Sequence, residues 1–398
     1  MLTVPAIPVR DHRLIHLNRR AYLIALLLIA ANLRPSITGV GPLLKTIQDD
    51  LALSATAAGL LGSLPVLIFA AFAPLARLAR RLGGERMLLA GLLALVIGLL
   101  VRSEGHVATL FAGTVILAIG LASTNVLLPV LIKQHYPERV PALTTAYATI
   151  MGCVAALASG IAVPLARWLP GGWQTSLASW ALLAIIGIVF WLPNARASKK
   201  KVEPPTSAAI HPPWRSFVGW HVTAFMGLQS TVFYVAISWF PAILRDHGFS
   251  ASAAGWLLTL YQVAALLAGL AVPTLIRRFK DQRGLAFCAG ILGGLSVLGI
   301  LIAPGQALIW MTLLGCASGP SLILALSFMG LRARTQESAA ALSLMAQGVG
   351  YLIAACGPVV FGLIHDHTGG WKIGLAGVIA VTVAQGLSGL GAGRLVKV

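Results

Sequence analysis

Apolar residues in this chain run on for about twenty positions at a time, a length a helix needs to cross hydrocarbon, and short polar or basic stretches separate them. A-Y-L-I-A-L-L-L-I-A opens the first run at Ala21, and L-L-G-S-L-P-V-L-I-F-A-A lies inside the second, from Leu60. Runs of this kind cover residues 21–43, 55–76, 87–101, 107–131, 141–166, 173–193, 216–243, 252–276, 284–303, 307–331, 338–364 and 371–393. The pattern predicts an all-α integral membrane protein of about twelve transmembrane helices. A transmembrane barrel would alternate polarity over segments of about ten residues. These runs are roughly twice as long and apolar on every side, so a barrel does not fit.

Composition agrees. Of 398 residues, 58% are hydrophobic and 10% charged, against roughly 25% charged in a soluble domain, and the mean hydropathy is +0.88. Residues 1–20 carry Arg10, Arg13, Arg19 and Arg20 without an apolar core of their own, so they read as a cytoplasmic segment and not as a cleavable signal peptide. A formal charge of +18 would suit nucleic acid, but its placement follows topology instead. Sorted by alternate loops, one side collects the N-terminal arginines, Arg77, Arg80, Arg81, Arg86, Lys133, Arg139, the stretch from Arg196 to Arg215, Arg277 to Arg283, Arg332, Arg334, Arg394 and Lys397. The other holds Lys45, Arg102, Arg167, Arg245 and Lys372. The excess of positive charge puts both termini in the cytoplasm and the chain in the cell's inner membrane, with the lipid bilayer and no nucleic acid as its partner. Cys153, Cys288, Cys316 and Cys356 all fall inside runs and read as small buried residues.

The stretch from Asn194 to Arg215 is polar, basic and proline-rich, a linker composition. It divides the chain into halves at 21–193 and 216–398. G-L-A-S at Gly120 and G-C-A-S at Gly315 match at an offset of 195. The same offset carries Arg34 onto Gln229, so both halves place a strong hydrogen-bonding group at one depth. At 1.5 Å per residue each lies about 20 Å from the cytoplasmic face, near the midplane. Transporters built from repeated halves bind cargo there.

Two halves of six spans, cytoplasmic termini, a basic central loop and a basic loop after span two resemble the major facilitator superfamily. The superfamily's signature after span two survives in part: R-L-G-G-E-R from Arg81 keeps an R-x-G, while Arg80 stands where an aspartate is expected and Ala76 where a glycine is. N-L-R-P-S-I-T-G-V-G-P-L-L at Asn32, N-V-L-L-P-V-L-I-K at Asn125, W-F-P-A-I-L at Trp239, K-D-Q-R-G at Lys280 and A-Q-G-V-G-Y-L-I-A-A-C-G-P at Ala346 resemble the cyanate and nitroimidazole permeases of that superfamily. The last two are closer to the nitroimidazole branch. The resemblance implies a permease for a small nitrogen compound, working by alternating access.

Arg34 is the candidate centre. An arginine at mid-bilayer costs at least ~2.5–3.5 kcal/mol on insertion scales and marks a functional site by default. Every Asp and Glu lies in a loop or at a span end, so no intramembrane carboxylate neutralises it. An unpaired, permanently charged fork suits an anion or a nitro group supplied by cargo. The competing structural role is a bond to backbone carbonyls freed by Pro35. Polar side chains at matching depth add Gln229, Asn125, Tyr147, Tyr234, Gln347 and Tyr351 as substrate-binding candidates, each of which could instead glue helices together. Tyr261 and Gln262 read as packing, and His221 as a helix-end histidine. Gly39, Gly41, Gly152 and Gly357 serve either as hinges or for close helix packing.

An enzyme would need a catalytic constellation, and the chain carries no H-E-x-x-H, no G-x-S-x-G and no intramembrane acid pair. No cofactor or metal is implied. Unlike halves with one buried charge fit alternating access better than a channel. The alternative within transporters is a broad-specificity drug/proton antiporter, whose cationic cargo Arg34 would repel. A small-molecule substrate, anionic or neutral and polar, is the expected partner, and a monomer suffices.

Overall fold

The computed structural model describes residues 12–71, 83–197, 213–396 and 398, with backbone only for residues 12–18 and Ala197. The loop residues Ala76, Arg80 and Arg81, and most of the central linker, lie outside the described residues. All regular structure among the described residues is helical: α1 (His12–Ala31), α2 (Pro35–Thr38), α3 (Leu44–Leu51), α4 (Ala55–Ala71), α5 (Gly84–Arg102), α6 (Val107–His135), α7 (Val140–Trp168), α8 (Gly172–Ala197), α9 (Phe217–Asp246), α10 (Ala251–Arg278), α11 (Arg283–Ile302), α12 (Ala307–Leu331), α13 (Gln336–Thr368) and α14 (Lys372–Ala392). Eleven helical segments are long and apolar enough to cross a membrane, and α4 is a shorter apolar helix.

Local chemistry sets several helix starts. The Ser216 and Ser250 hydroxyls accept from the amides of Gly219 and Ala253, and Thr335 forms a capping box with Ser338. Each supplies a partner to a donor that a helix start leaves free. The single run expected over 21–43 is broken into α1, α2 and a 3-10 turn at Gly41–Leu43 that leads into α3.

Within the N-terminal half α5 packs on α6 and α8; in the other half α11 packs on α12 and α14, and α10 on α12. Across the halves α4 lies against α13 and α7 against α10, so the second and fifth spans of one half meet the fifth and second of the other. Glycines permit the closest crossings. A Cβ on Gly59 would lie 2.2 Å from the Pro358 carbonyl oxygen, one on Gly362 2.2 Å from that of Ala55, and one on Gly41 1.8 Å from that of Ile237. Gly41 therefore serves close packing between halves.

Hydrogen bonds that join the halves gather toward the end of the bundle where α3 ends and α4 begins. The Asp366 carboxylate accepts from the Ala55 amide (2.8 Å), the Thr56 amide (2.7 Å) and the Thr56 hydroxyl (2.6 Å), capping α4 from the opposite half. Lys45 pairs with Asp246, Arg245 donates to the Thr46 hydroxyl, and Gln262 donates to the Ser159 hydroxyl. The last contact joins α10 to α7.

The structure corrects two readings. Cys153, Cys288 and Cys356 are exposed and Cys316 half-buried; a thiol is apolar enough that, in lipid, nothing drives it inward. Arg102, grouped with the loop charges, is the last residue of α5 and 1% exposed.

Candidate functional site

The break in span one is built by Asn32, Arg34 and Pro35. Pro35 has no amide to continue the ladder of α1. The Asn32 side-chain amide donates to the carbonyls of Leu28 (2.9 Å) and, on α8, Leu183 (3.3 Å). Asn32 thus satisfies the Leu28 carbonyl, whose ladder partner is lost because the Asn32 backbone amide bonds Ile29 instead. The helix resumes on the Arg34 carbonyl, which accepts from the amides of Ile37 (2.9 Å) and Thr38 (3.0 Å). Thr38 donates its hydroxyl to the Ala155 carbonyl of α7 at 2.9 Å, fixing the new segment.

The Arg34 guanidinium crosses to the other half. Its Nη1 donates to the Tyr234 hydroxyl at 3.3 Å, and its Cζ stands 5.9 Å from the centroid of the Phe233 ring, within cation–π range. Around it is a cavity of about 80 Å³ lined by Arg34, by Gln229, Ser230, Phe233 and Tyr234 of α9, by Ala265 of α10, by Ser318, Gly319 and Leu322 of α12, and by Tyr351 of α13. None of these lining residues is acidic. A guanidinium has five N–H donors, and among the described residues one side-chain hydrogen bond engages this one.

Four of the seven sequence candidates therefore come together: Arg34, Gln229, Tyr234 and Tyr351. Gln229 is buried, and its amide nitrogen lies 2.7 Å from the Ser230 hydroxyl and 3.4 Å from the Met226 sulfur. Asn125, Tyr147 and Gln347 are half-buried and do not line this cavity. Gln347 donates to the Ser343 hydroxyl at 2.7 Å on its own helix. Tyr147 packs against the apolar core. Depth along a span could be counted from the sequence, but the direction a side chain faces could not.

Sequence reasoning missed Ser230, Phe233 and Ser318. The first two sit in the Q-S-T-V-F-Y stretch that holds Gln229 and Tyr234, and Ser318 closes the G-C-A-S repeat that set the offset. That repeat was itself the available signal. His221 packs edge-on to Phe217, with ring centroids 4.5 Å apart, and lies under Gly391, away from this cavity.

With that geometry in hand, the chain compares with known proteins as follows. The sequence model of the Major Facilitator Superfamily matches residues 24–358. A 2-nitroimidazole transporter of Escherichia coli is 44% identical over 381 residues, 95% of this chain and 96% of its own length. An uncharacterised transporter of Bacillus subtilis is 43% identical over 374 residues, 93% of this chain and 92% of its own. The cyanate transport protein of Escherichia coli is 27% identical over 88% of this chain and 91% of its own length. Among solved structures, a bacterial homologue of the human lysosomal transporter Spinster superposes with a TM-score of 0.75 at 15% identity, covering 95% of this chain and 97% of that one. A D-xylose–proton symporter does so with a TM-score of 0.71 at 15% identity, covering 96% and 98%.

Proposed function

The chain belongs to the major facilitator superfamily and is a multi-pass secondary transporter, not an enzyme; on that premise we propose that its cargo is a small planar nitrogen compound, a 2-nitroimidazole-like heterocycle or a cyanate-like anion, held at Arg34. The observation that carries this reading is a buried-side guanidinium with one hydrogen bond in a cavity that no acid lines. A nitro group or a linear anion offers acceptor atoms to paired N–H donors. The rings of Phe233, Tyr234 and Tyr351 line the same cavity and offer faces or edges to a conjugated ring. The names of the relatives at 44% and 27% identity support the same cargo class. A cation at about 4 Å from Arg34 would meet a repulsion of about 4 kcal/mol at an effective dielectric of 20, which disfavours cationic drugs.

The same contact supplies the coupling to movement. Arg34 belongs to the N-terminal half and Tyr234 to the C-terminal half. Cargo that takes the place of the tyrosine hydroxyl on the guanidinium would tie the halves together at mid-depth, leaving the ends to rock. With the termini in the cytoplasm, the end closed by Asp366 and Lys45 is the outer one. The test is uptake of labelled 2-nitroimidazole into proteoliposomes. Saturable uptake inhibited by unlabelled nitroheterocycle or cyanate, and reduced at least about tenfold by Arg34→Ala, is expected. Full transport by that variant would overturn the reading.

A further inference from the structure

Among the described residues two arginines are almost fully buried, and they are not alike. Arg332 is 2% exposed; its Nε donates to the Ala392 carbonyl at 2.7 Å and its Nη2 to the Gly393 carbonyl at 3.1 Å and to the Gln282 side chain. It ties off a helix end with three of its donors engaged. Arg102 is 1% exposed, and its Nη1 donates to the Ser36 carbonyl at 2.7 Å, but its Nε and Nη2 have no partner among the described residues. A guanidinium stays charged at any physiological pH, and a buried charge needs a counter-charge and bonded donors. The last turn of α5 offers Arg102 only the partial negative charge of its carbonyls.

Arg102 faces a cavity of about 20 Å³, separate from that of Arg34, at the meeting of α2, α4, α5, α6 and α9. Ser36, Thr114 and Ser238 line it among apolar side chains and glycine, and no carboxylate does. The Ser36 hydroxyl is itself buried without a partner. One water-sized particle needs roughly 10–15 Å³ by this measure, so the space suits one small ion and excludes a heterocycle.

We propose that Arg102, with the hydroxyls of Ser36 and Ser238, forms a second anion site for one halide-sized monovalent anion such as chloride. Water could meet the free donors but would leave the charge uncompensated. Ser36 comes from the N-terminal half and Ser238 from the C-terminal half, so the site is complete only while the halves are joined beside it. An anion bound there favours that joined state. The site is independent of the cargo assigned to Arg34.

The experiment uses the purified full-length protein in chloride-free gluconate buffer at constant ionic strength, and follows thermal unfolding as chloride or bromide replaces gluconate. The expected result is a saturable rise in Tm that Arg34→Ala retains and Arg102→Met loses. Should Arg102→Met fail to fold, Ser36→Ala and Ser238→Ala take its place, each moving the half-saturating chloride concentration up by about three- to tenfold. Crystals grown in bromide are expected to show anomalous density beside the Arg102 side chain. The proposal is overturned by a Tm that is indifferent to halide, by a halide effect that vanishes in Arg34→Ala, by serine variants that titrate like wild type, or by bromide density absent from Arg102.

Discussion

Arg34, Arg102 and Arg332 show how one side chain takes its role from the donors its surroundings leave over. Arg332 places three of its donors on backbone carbonyls and Gln282, whereas Arg34 has one hydroxyl and an aromatic ring in a cavity shared by both halves. A hydrogen bond to a charged group contributes about 1.5–3 kcal/mol. Arg34→Ala is therefore expected to weaken nitroheterocycle affinity by about 10- to 100-fold. Arg34→Lys keeps the charge but loses the fork, and should fall between the two in a titration of uptake against cargo concentration. Tyr234→Phe removes the hydroxyl that cargo must displace from the guanidinium. The half-saturating concentration should therefore fall, by about tenfold if the full charge-assisted bond of about 1.5 kcal/mol is recovered. Arg34 was legible in the sequence because a charge in an apolar run without any acid at its depth is conspicuous. Gln229, Tyr234 and Tyr351 were legible by depth, as were Asn125, Tyr147 and Gln347, which the fold turns elsewhere. Arg102 was misread because a residue counted at a span end can still be enclosed by neighbouring spans that only the fold brings near.

At the level of helices, the decisive features are a break and a latch. The break between α1 and α2 frees Arg34 from the regular ladder, with Asn32 satisfying the Leu28 carbonyl near the end of α1. Pro35 was visible in the sequence, but the helix that Asn32 would bond across to was not. The latch is Asp366 at the start of α4. A cap of this kind contributes about 1 kcal/mol, so Asp366→Ala should shift the equilibrium about fivefold toward separation of that end. The rate at which a maleimide labels Ser238→Cys in a cysteine-free background measures it, and should rise by about the same factor. Gly59→Val is expected to act more strongly. Its Cβ would sit 2.2 Å from a backbone oxygen of α13, and only separation of the two helices relieves that overlap. Labelling of Ser238→Cys should then proceed without restraint and transport should be lost, while the purified protein still elutes as a folded species.

For the molecule as a whole, the contacts across the middle are reciprocal: α4 lies against α13 and α7 against α10, second against fifth span and fifth against second. Run lengths carried the helical architecture, since lipid leaves few ways to satisfy a spanning backbone. Run lengths say nothing about which helices touch or which end is joined, because an apolar surface facing lipid and one facing protein have the same composition. The joined end, with Asp366, Lys45 and Gly59, and the cavity beneath it at Arg34 make the molecule a clasp with one charged group at its centre. On the proposed reading that charge selects the cargo. The most direct measurement is equilibrium binding of 2-nitroimidazole, cyanate and a cationic dye to the purified wild type and to Arg34→Ala by titration calorimetry. Saturable binding of 2-nitroimidazole or cyanate that weakens at least about tenfold in the variant, with none of the dye, is the predicted result. Binding of the dye alone, or equal affinity in the two proteins, would contradict the assignment of Arg34 as the group that holds the cargo.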